Sequence, residues 1–459
     1  MHPMRTSAIL MAGCILLLPP SVKGQGVQLA ITGGTLIDGT GAPPVPDGVV
    51  TVRDGIVVCV GSRGDCPVDE RAQIIDATGR WLIPGLIDTH IHWQAWYDAE
   101  GKLSQERATR AARTYLANGI TTVIDVGGQR WVTPDHRRVL REVLRSGEPA
   151  PRMLFSGWID RRTVDSSESR DASVLARSLL DDGVDGLKIR NGLSVEEYEA
   201  IVAEADRMGR PVYGHTYYIG DREFIDHTAE AVEVGVDGVF HVLGIPPSAP
   251  DRNAPLPTEP MEDWETWWLA GAALWSYATD ESMDALIRVM VENGAWLQPT
   301  LVTEQIPMKP DYYRDHPNWK HSPATWEEMH AGWPHFEGEE LEQYRAAYGQ
   351  MQKFVRLFQG AGGMIVAGTD GVPIPGFGLQ EELRLLVEAG VPPMVALQSA
   401  TRNAAVAWRW QDRIGTLEAG MAADLLILDG NPLEEIDNIA KIWRVVRAGT
   451  VHDPTVLLP

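Results

Sequence analysis

The pattern of apolar and polar positions divides the chain into two β-rich ends and a middle that alternates between strand and helix. Short runs of β-branched residues, separated by Gly, Pro and Asp turns, predict strands between 27 and 83, and the same style returns after 415. Because both ends share this pattern around a different middle, we expect one small, discontinuous β-sandwich domain built from both termini, residues 25–81 and 411–459.

The middle, residues 82–410, carries eight apolar runs that predict buried strands, with helix candidates between them. We place these strands at 83–92, 120–126, 152–159, 184–190, 211–217, 237–243, 295–302 and 364–370. The helix predicted at 195–208 is typical, since an N-cap serine and early glutamates precede its apolar stripe. Eight such alternations predict a (β/α)8 TIM barrel, an α/β fold whose chemistry lies at the carboxyl ends of its strands.

Two long segments interrupt the alternation, at 245–280 and 303–338, after the sixth and seventh predicted strands. Both are rich in Pro and Trp. Insertions at that end of a barrel would cover the site, and we expect most of their tryptophans to pack the insertions onto the barrel.

The first residues have the pattern of a secretory signal peptide, which we place at 1–24. Arg5 precedes an apolar run, and small residues follow near position 24. The run is too short to span a bilayer comfortably. We therefore expect a secreted or periplasmic protein without a stable membrane span, with a lipoprotein anchored at Cys14 as the less favoured alternative.

Composition and charge narrow the function classes. The chain has 459 residues, of which 44% are hydrophobic and 22% charged, as in ordinary globular proteins. Its net charge of −23 argues against a nucleic-acid partner and leaves the oligomeric state open, so that a homo-oligomer is possible. Cys59 and Cys66, seven residues apart across a turn, are compatible with a disulfide in an exported protein or with two free thiols.

Candidate metal ligands stand at the ends of several predicted strands. His90 and His92 end the first strand, and residues two apart on a strand point to the same side. Such a pair alone also occurs on half-exposed strands without a metal. Further residues of ligand type follow other strands: Lys188, His215, His241 and Asp370. Imidazole and carboxylate groups suit Zn²⁺ or a similar divalent ion, so the sequence predicts a metal site at the strand ends.

Five motifs resemble the amidohydrolase superfamily, in the branch of imidazolonepropionase-like proteins and zinc-dependent, prolidase-like dipeptidases. They lie at 35–39, 82–92, 119–128, 367–370 and 415–425. The resemblance covers nearly all of the chain after the predicted leader, and it implies a metal-dependent hydrolase that acts on carbon-nitrogen bonds.

In binuclear members of this superfamily, two metal ions share a bridging lysine that CO₂ has carbamylated. The matching positions are His90, His92 and Asp370 for the first Zn²⁺, His215 and His241 for the second, and Lys188 for the carbamate bridge. If Lys188 is not carbamylated, the site reduces to a single metal.

The resemblance also implies a mechanism, in which a hydroxide held between the metals attacks an amide carbonyl and Asp370 acts as general base and then acid. Tyr217, Tyr218 and Arg190 are candidates for binding the substrate, for example its carboxylate, although a rim salt bridge would also account for Arg190.

Dipeptides or N-acyl amino acids are the substrates that we expect for an exported enzyme of this kind. The alternatives are a mononuclear cyclic-amide hydrolase or deaminase, and a non-catalytic binding protein on the same barrel.

Overall fold

The computed structural model describes residues 28–93, 104–127, 134–190, 192–216, 228–247, 264–330, 333–371 and 376–458. The predicted leader at 1–24 and the pocket candidates Tyr217 and Tyr218 lie outside these residues. Within the described ranges, no helix has both the length and the apolar character that a bilayer crossing requires.

Fifteen strands form two sheets in this part of the chain. In chain order they are β1 (Leu29–Leu36), β2 (Val45–Arg53), β3 (Ile56–Ser62), β4 (Gln73–Asp76), β5 (Trp81–Pro84), β6 (Leu86–Ile91), β7 (Ile120–Asp125), β8 (Arg152–Ile159), β9 (Gly186–Ile189), β10 (Val212–Gly214), β11 (Gly238–Phe240), β12 (Trp296–Gln298), β13 (Leu425–Leu428), β14 (Ile442–Arg447) and β15 (Thr450–His452).

The helices follow the same order. They are α1 (Gln105–Ala117), α2 (Pro134–Arg145), α3 (Arg161–Ser166), α4 (Ala172–Asp181), α5 (Val195–Arg207), α6 (Thr228–Glu233), α7 (Trp264–Trp275), α8 (Asp280–Glu292), α9 (Leu301–Gln305), α10 (Pro310–Arg314), α11 (Trp326–His330), α12 (Gly338–Gly360), α13 (Phe377–Glu388), α14 (Pro393–Ser399), α15 (Arg402–Ala407) and α16 (Pro454–Leu457). Helix α5 begins with the predicted cap, because Ser194 Oγ accepts from Glu197 N at 3.3 Å and Glu197 Oε2 accepts from Ser194 N at 2.9 Å.

Strands from both ends of the chain build one sheet in the order β15-β14-β13-β5-β1-β2-β3, with β4 beside β1. The central strand β5 pairs in parallel with β1 and antiparallel with β13. The edge strand β3 also contacts the segment before β13, since Val57 N donates to Met421 O at 2.8 Å and Gly420 N donates to Val57 O at 2.8 Å. The prediction that both termini contribute to one β-rich unit is therefore confirmed.

Cys59 and Cys66 form a disulfide in this sheet unit, with an S–S distance of 2.08 Å. The disulfide joins the middle of β3 to the turn that follows this strand. Of the two states that the sequence left open, the structure has the oxidised one.

Seven parallel strands, β6 to β12, follow one another in sequence order and curl into the predicted barrel-like domain. The predicted eighth strand, 364–370, occupies the remaining position. On one side Val366 N donates to Leu297 O at 2.9 Å, and on the other Thr89 Oγ1 donates to Ala367 O at 2.8 Å.

The eighth segment forms only an isolated bridge, between Leu297 and Ile365, rather than a regular strand. One reason is that Ala367 N donates to Ser399 O at 2.9 Å, outside the ladder. Its backbone then turns at Asp370, whose φ of 58° ends any extended conformation.

The two predicted insertions are largely helical where the structure describes them. Helix α7 lies in the first, and α9, α10 and α11 lie in the second. Trp275 packs its helix onto the barrel, because its Nε1 donates to Val242 O and Leu243 O, each at 3.1 Å. This agrees with the expectation that insertion tryptophans attach these segments to the barrel.

Candidate metal centre

The carboxyl ends of the barrel strands bring several predicted ligands to one point. His90 Nε2 and His92 Nε2 both lie 2.9 Å from the same oxygen, Asp370 Oδ1. Lys188 Nζ, at the end of β9, lies 3.1 Å from His90 Nε2. Residues from strands one, four and eight of the barrel therefore meet within hydrogen-bond distance.

The two later histidines lie beside this group. The ring of His241 is 5.1 Å from that of His90, and the ring of His215 is 4.6 Å from that of His241, between centroids. Ligand atoms of His90, His241 and Asp370 all lie within 4.8 Å of one another. The structure thus brings the six predicted ligand residues into one contiguous cluster.

The backbone around the cluster adopts conformations that non-glycine residues rarely do. His241, Thr300 and Asp370, at the ends of consecutive strand positions, have φ values of 63°, 51° and 58°. The left-handed region is unfavourable for such residues, and it persists in folded proteins mainly where the surroundings enforce it, often at functional sites.

Hydrogen bonds fix which ring nitrogen of each first-strand histidine carries a proton. His90 Nδ1 lies 2.6 Å from Gln298 Oε1, and His92 Nδ1 lies 2.6 Å from Gly127 O. Both partners are oxygens that only accept. Each Nδ1 is therefore the donor, and each Nε2 faces Asp370 either as a lone pair or as the second N–H of an imidazolium.

The imidazolium alternative is unfavourable for His90. Burial, reinforced by the nearby charge of Lys188, lowers the pKa of His90 well below its ordinary value, so the ring is neutral. A neutral His90 ring directs its Nε2 lone pair toward Asp370 Oδ1 and Lys188 Nζ, so the nitrogen is available to bind a metal beside the carboxylate. The donor set therefore fits a divalent metal, and its nitrogen and carboxylate ligands are those that Zn²⁺ accepts.

Lys188 is fully enclosed, with a relative exposure of 1%. Its Nζ lies 5.0 Å from the centre of the Trp158 ring and 5.2 Å from that of Phe240. Burial among these apolar groups lowers the pKa of Lys188 to about 7. A large share of the side chain is therefore the neutral amine near neutral pH, which is the form that combines with CO₂.

Arg190 extends from the end of β9 on the same side as Lys188. Its guanidinium lies 5.4 Å from the Trp158 ring, and its Nε is buried without a hydrogen-bond partner within the ranges that the structure describes. The guanidinium of Arg190 is therefore partly buried at the edge of the cluster, and its Nε–H can still donate a hydrogen bond.

The seventh barrel strand contributes two contacts that we did not predict. Gln298 accepts from His90, and Thr300 Oγ1 lies 2.8 Å from His241 Nδ1. Neither residue is a ligand type, and their partners lie far away in the sequence. The only signal was the occurrence of polar residues at the end of an apolar run.

Comparisons with known proteins agree with this architecture. The profile of the amidohydrolase family matches residues 81–452. The chain is 27% identical over 231 residues to an imidazolonepropionase of Ralstonia nicotianae, covering 40% of this chain and 57% of that protein. An imidazolonepropionase of Rhizorhabdus wittichii is 26% identical over 251 residues, which is 44% of this chain and 62% of that protein. The matched region thus spans little more than half the length of these relatives.

Solved structures match over more of the chain. A Xaa-Pro dipeptidase with bound methionine superposes with a TM-score of 0.64 at 22% identity, covering 93% of this chain and 99% of that one. Aspergillus niger ochratoxinase gives a TM-score of 0.65 at 19% identity, covering 93% and 96%. At these identities the likeness supports the fold alone.

Proposed function

This chain belongs to the amidohydrolase family, and we propose that it is a metal-dependent hydrolase that cleaves the C–N amide bond of dipeptides or N-acyl amino acids. The observation that carries this proposal is the convergence of two imidazole Nε2 atoms on one carboxylate oxygen, Asp370 Oδ1, at 2.9 Å each, which is a ligand set that fits a divalent cation. We further propose that the enzyme is exported by the leader at 1–24.

The proposed centre holds two Zn²⁺ ions. Their protein ligands are His90, His92 and Asp370 for one ion, His215 and His241 for the other, and a carbamylated Lys188 between them. The buried, partly neutral amine of Lys188 supports the carbamate, because the modified side chain would be an anion suited to bridge two cations. When bound, the ions would lower the pKa of water and polarise the scissile carbonyl.

Asp370 is the proposed proton carrier of the reaction. Its carboxylate accepts the proton of the attacking water and then delivers it to the leaving nitrogen, so that the amine departs neutral. Its position supports this role, because Asp370 keeps 23% of its side chain exposed whereas His90 beside it is fully buried. The carboxylate therefore stands between the buried ligands and the side from which substrate arrives.

Arg190 is the proposed anchor for the carboxylate of the substrate. A guanidinium forms paired hydrogen bonds with a carboxylate, and its contact with Trp158 holds its plane in place. A dipeptide or an N-acyl amino acid carries a carboxylate close to its amide bond, which matches an anchor two residues after Lys188. Tyr217 and Tyr218 remain proposed as further pocket residues.

A second candidate is a mononuclear cyclic-amide hydrolase or deaminase. The names of the curated relatives, which are imidazolonepropionases, favour it. The compact group of His90, His241 and Asp370 could serve a single ion. A non-catalytic binding role is less well supported, because each predicted ligand position carries a residue able to bind metal.

A substrate screen with the Zn²⁺-loaded chain tests the proposal. We expect about two Zn²⁺ per chain by elemental analysis and hydrolysis of N-acyl amino acids, with a matched series of C-terminal amides cleaved at least roughly tenfold more slowly. Arg190→Gln should abolish that preference by slowing only the free acids, whereas Arg190→Lys should retain part of it. One Zn²⁺ per chain together with turnover of cyclic amides alone would favour the second candidate.

A further inference from the structure

We propose that Gln298, at the end of β12, and Thr300, two residues later, form a positioning element that fixes the tautomer of one histidine on each of the two metals. The inference rests on the proposed function, since it concerns the ligands His90 and His241. Neither Gln298 nor Thr300 would touch a metal or the substrate.

The orientation of the Gln298 amide follows from its other partner. Thr89 Oγ1 donates its proton to Ala367 O at 2.8 Å, so this hydroxyl can only accept from the Gln298 Nε2 that contacts it. The amide oxygen therefore faces His90 Nδ1, at 2.6 Å, and His90 must donate. These three hydrogen bonds leave the Nε2 lone pair of His90 directed toward the other candidate metal ligands.

Close packing prevents the amide from turning over. Gln298 is fully buried, and a Cβ at Gly368 would lie 2.6 Å from its Nε2 and 2.8 Å from the Cβ of His90. Only glycine at position 368 allows the eighth segment to lie this close to both side chains. Gly368 thus leaves room for the Gln298 amide and the His90 imidazole to pack side by side.

Thr300 performs the same task for His241. Its hydroxyl donates to Pro299 O at 2.8 Å and so accepts from His241 Nδ1, also at 2.8 Å. The Nε2 of His241 is then the atom left for a metal. Thr300 has a φ of 51°, which is especially unfavourable for a β-branched residue. A strained backbone that delivers a hydroxyl to a ligand is the kind of conformation that folded proteins retain at functional sites.

His92 provides an internal contrast. Its Nδ1 is fixed by a backbone oxygen, Gly127 O, which side-chain substitution cannot remove. The tautomers of His90 and His241 instead depend on two side chains from one three-residue segment. Substitutions at 298 and 300 should therefore weaken the two metals separately, because outer hydrogen bonds of this kind change metal affinity by roughly 10–100-fold.

Chelator competition with the full chain and Zn²⁺ tests this assignment. Gln298→Met should weaken one of the two Zn²⁺ equivalents by about 10–100-fold, and Thr300→Val should weaken the other by a similar factor. Thr300→Ser keeps an acceptor for the histidine N–H and should recover most of the affinity that Thr300→Val loses. The Thr300→Val and Thr300→Ser pair decides the question if Gln298→Met does not fold.

Gln305→Met is the matched control. Gln305 is also a buried glutamine after β12, but its Oε1 accepts from Tyr313 OH at 2.9 Å and contacts no candidate ligand. This variant should bind both Zn²⁺ equivalents as the parent does. Unchanged affinities in Gln298→Met and Thr300→Val, or an equal loss in Gln305→Met, would overturn the inference. A parent chain that binds no Zn²⁺ would instead overturn the proposed function.

Discussion

The two ends of the barrel surround a carboxylate with different kinds of polar group. At the amino end, Asp424 accepts from Arg152 Nη2 at 2.9 Å, from Arg447 Nη1 at 3.2 Å and from Ala448 N at 2.7 Å. At the carboxyl end, Asp370 Oδ1 faces the Nε2 atoms of His90 and His92, and the Nδ1 atom of each ring contacts a different oxygen. Both ends place an acid among basic side chains, yet only Asp424 is surrounded by groups that always donate, two guanidinium groups and a backbone N–H.

The contrast separates a structural polar cluster from a functional one. Around Asp424 both carboxylate oxygens accept hydrogen bonds from the chain itself, and the cluster joins the barrel to the terminal sheet. Around Asp370 the neighbouring groups are imidazole nitrogens, which can also bind a metal, so this cluster fits a cation as well as a hydrogen-bonded network. Counting donors and acceptors therefore locates the proposed site more directly than counting charged residues does.

The largest expected effect comes from Asp370→Asn. We expect kcat for an N-acyl amino acid to fall by about 10³-fold, because the amide cannot carry the proton from water to the leaving nitrogen. The metal-free variant should be at least as stable as the parent, since the Asn amide can donate to an imidazole Nε2. Steady-state kinetics and urea unfolding of the chelator-treated protein measure the two quantities. Wild-type activity, or a clear loss of stability without metal, would contradict this view of the carboxyl end.

The matched substitution at the amino end, Asp424→Asn, should lower the stability of the chain and leave its metal binding unchanged. Loss of the charge leaves Arg152 and Arg447 without their shared partner, and we expect the free energy of unfolding to fall by about 3 kcal/mol. Bound Zn²⁺ should remain at the parent level. Urea unfolding and elemental analysis test this, and a variant that keeps its stability but loses metal would remove the distinction between the two ends.

The sequence predicted the parts of this contrast that depend on strand order and side-chain alternation. His90 and His92 point the same way because they are two apart on a strand, and the barrel then determines that Lys188 and Asp370 approach them. Strands of the two termini were also predicted from their shared pattern, although the pattern could not show that β5 would join them as the central strand.

The sequence could not predict the contacts that fix the tautomers. Gln298 lies 208 residues from His90, and Thr300 lies 59 residues from His241. No local propensity encodes such a pairing, since it depends on the register between β12 and its neighbours. The eighth segment is similar: its apolar run predicts a strand, but Ala367 bonds to Ser399 instead of continuing the ladder.

A smaller effect is expected far from both carboxylates, at the disulfide between Cys59 and Cys66. A bridge across a loop this short should stabilise the chain by about 2 kcal/mol, mainly by restricting the unfolded state. The double variant Cys59→Ser, Cys66→Ser should lose that stability in urea unfolding while it binds Zn²⁺ and turns over substrate as the parent does. A loss of bound metal in this variant would show that the terminal sheet influences the carboxyl end of the barrel.

The last expected effect is the pH dependence of metal uptake through Lys188, which concerns a rate rather than stability or turnover. Burial lowers the pKa of this amine to about 7, so protonation competes with carbamylation as the pH falls through that value. Each pH unit below 7 reduces the neutral amine by about tenfold. Binding of the second Zn²⁺ by the metal-free chain should therefore slow by about tenfold per unit between pH 7 and 5, and it should require bicarbonate.

Stopped-flow Zn²⁺ uptake in buffers with and without bicarbonate measures this dependence. Lys188→Met, which has neither a charge nor an amine, should bind a single equivalent at a rate that bicarbonate does not change. The ¹³C signal of a carbamate should appear in the parent incubated with labelled bicarbonate and be absent from Lys188→Met. If the parent takes up both ions equally fast without bicarbonate at pH 6 and 8, Lys188 is not the bridge.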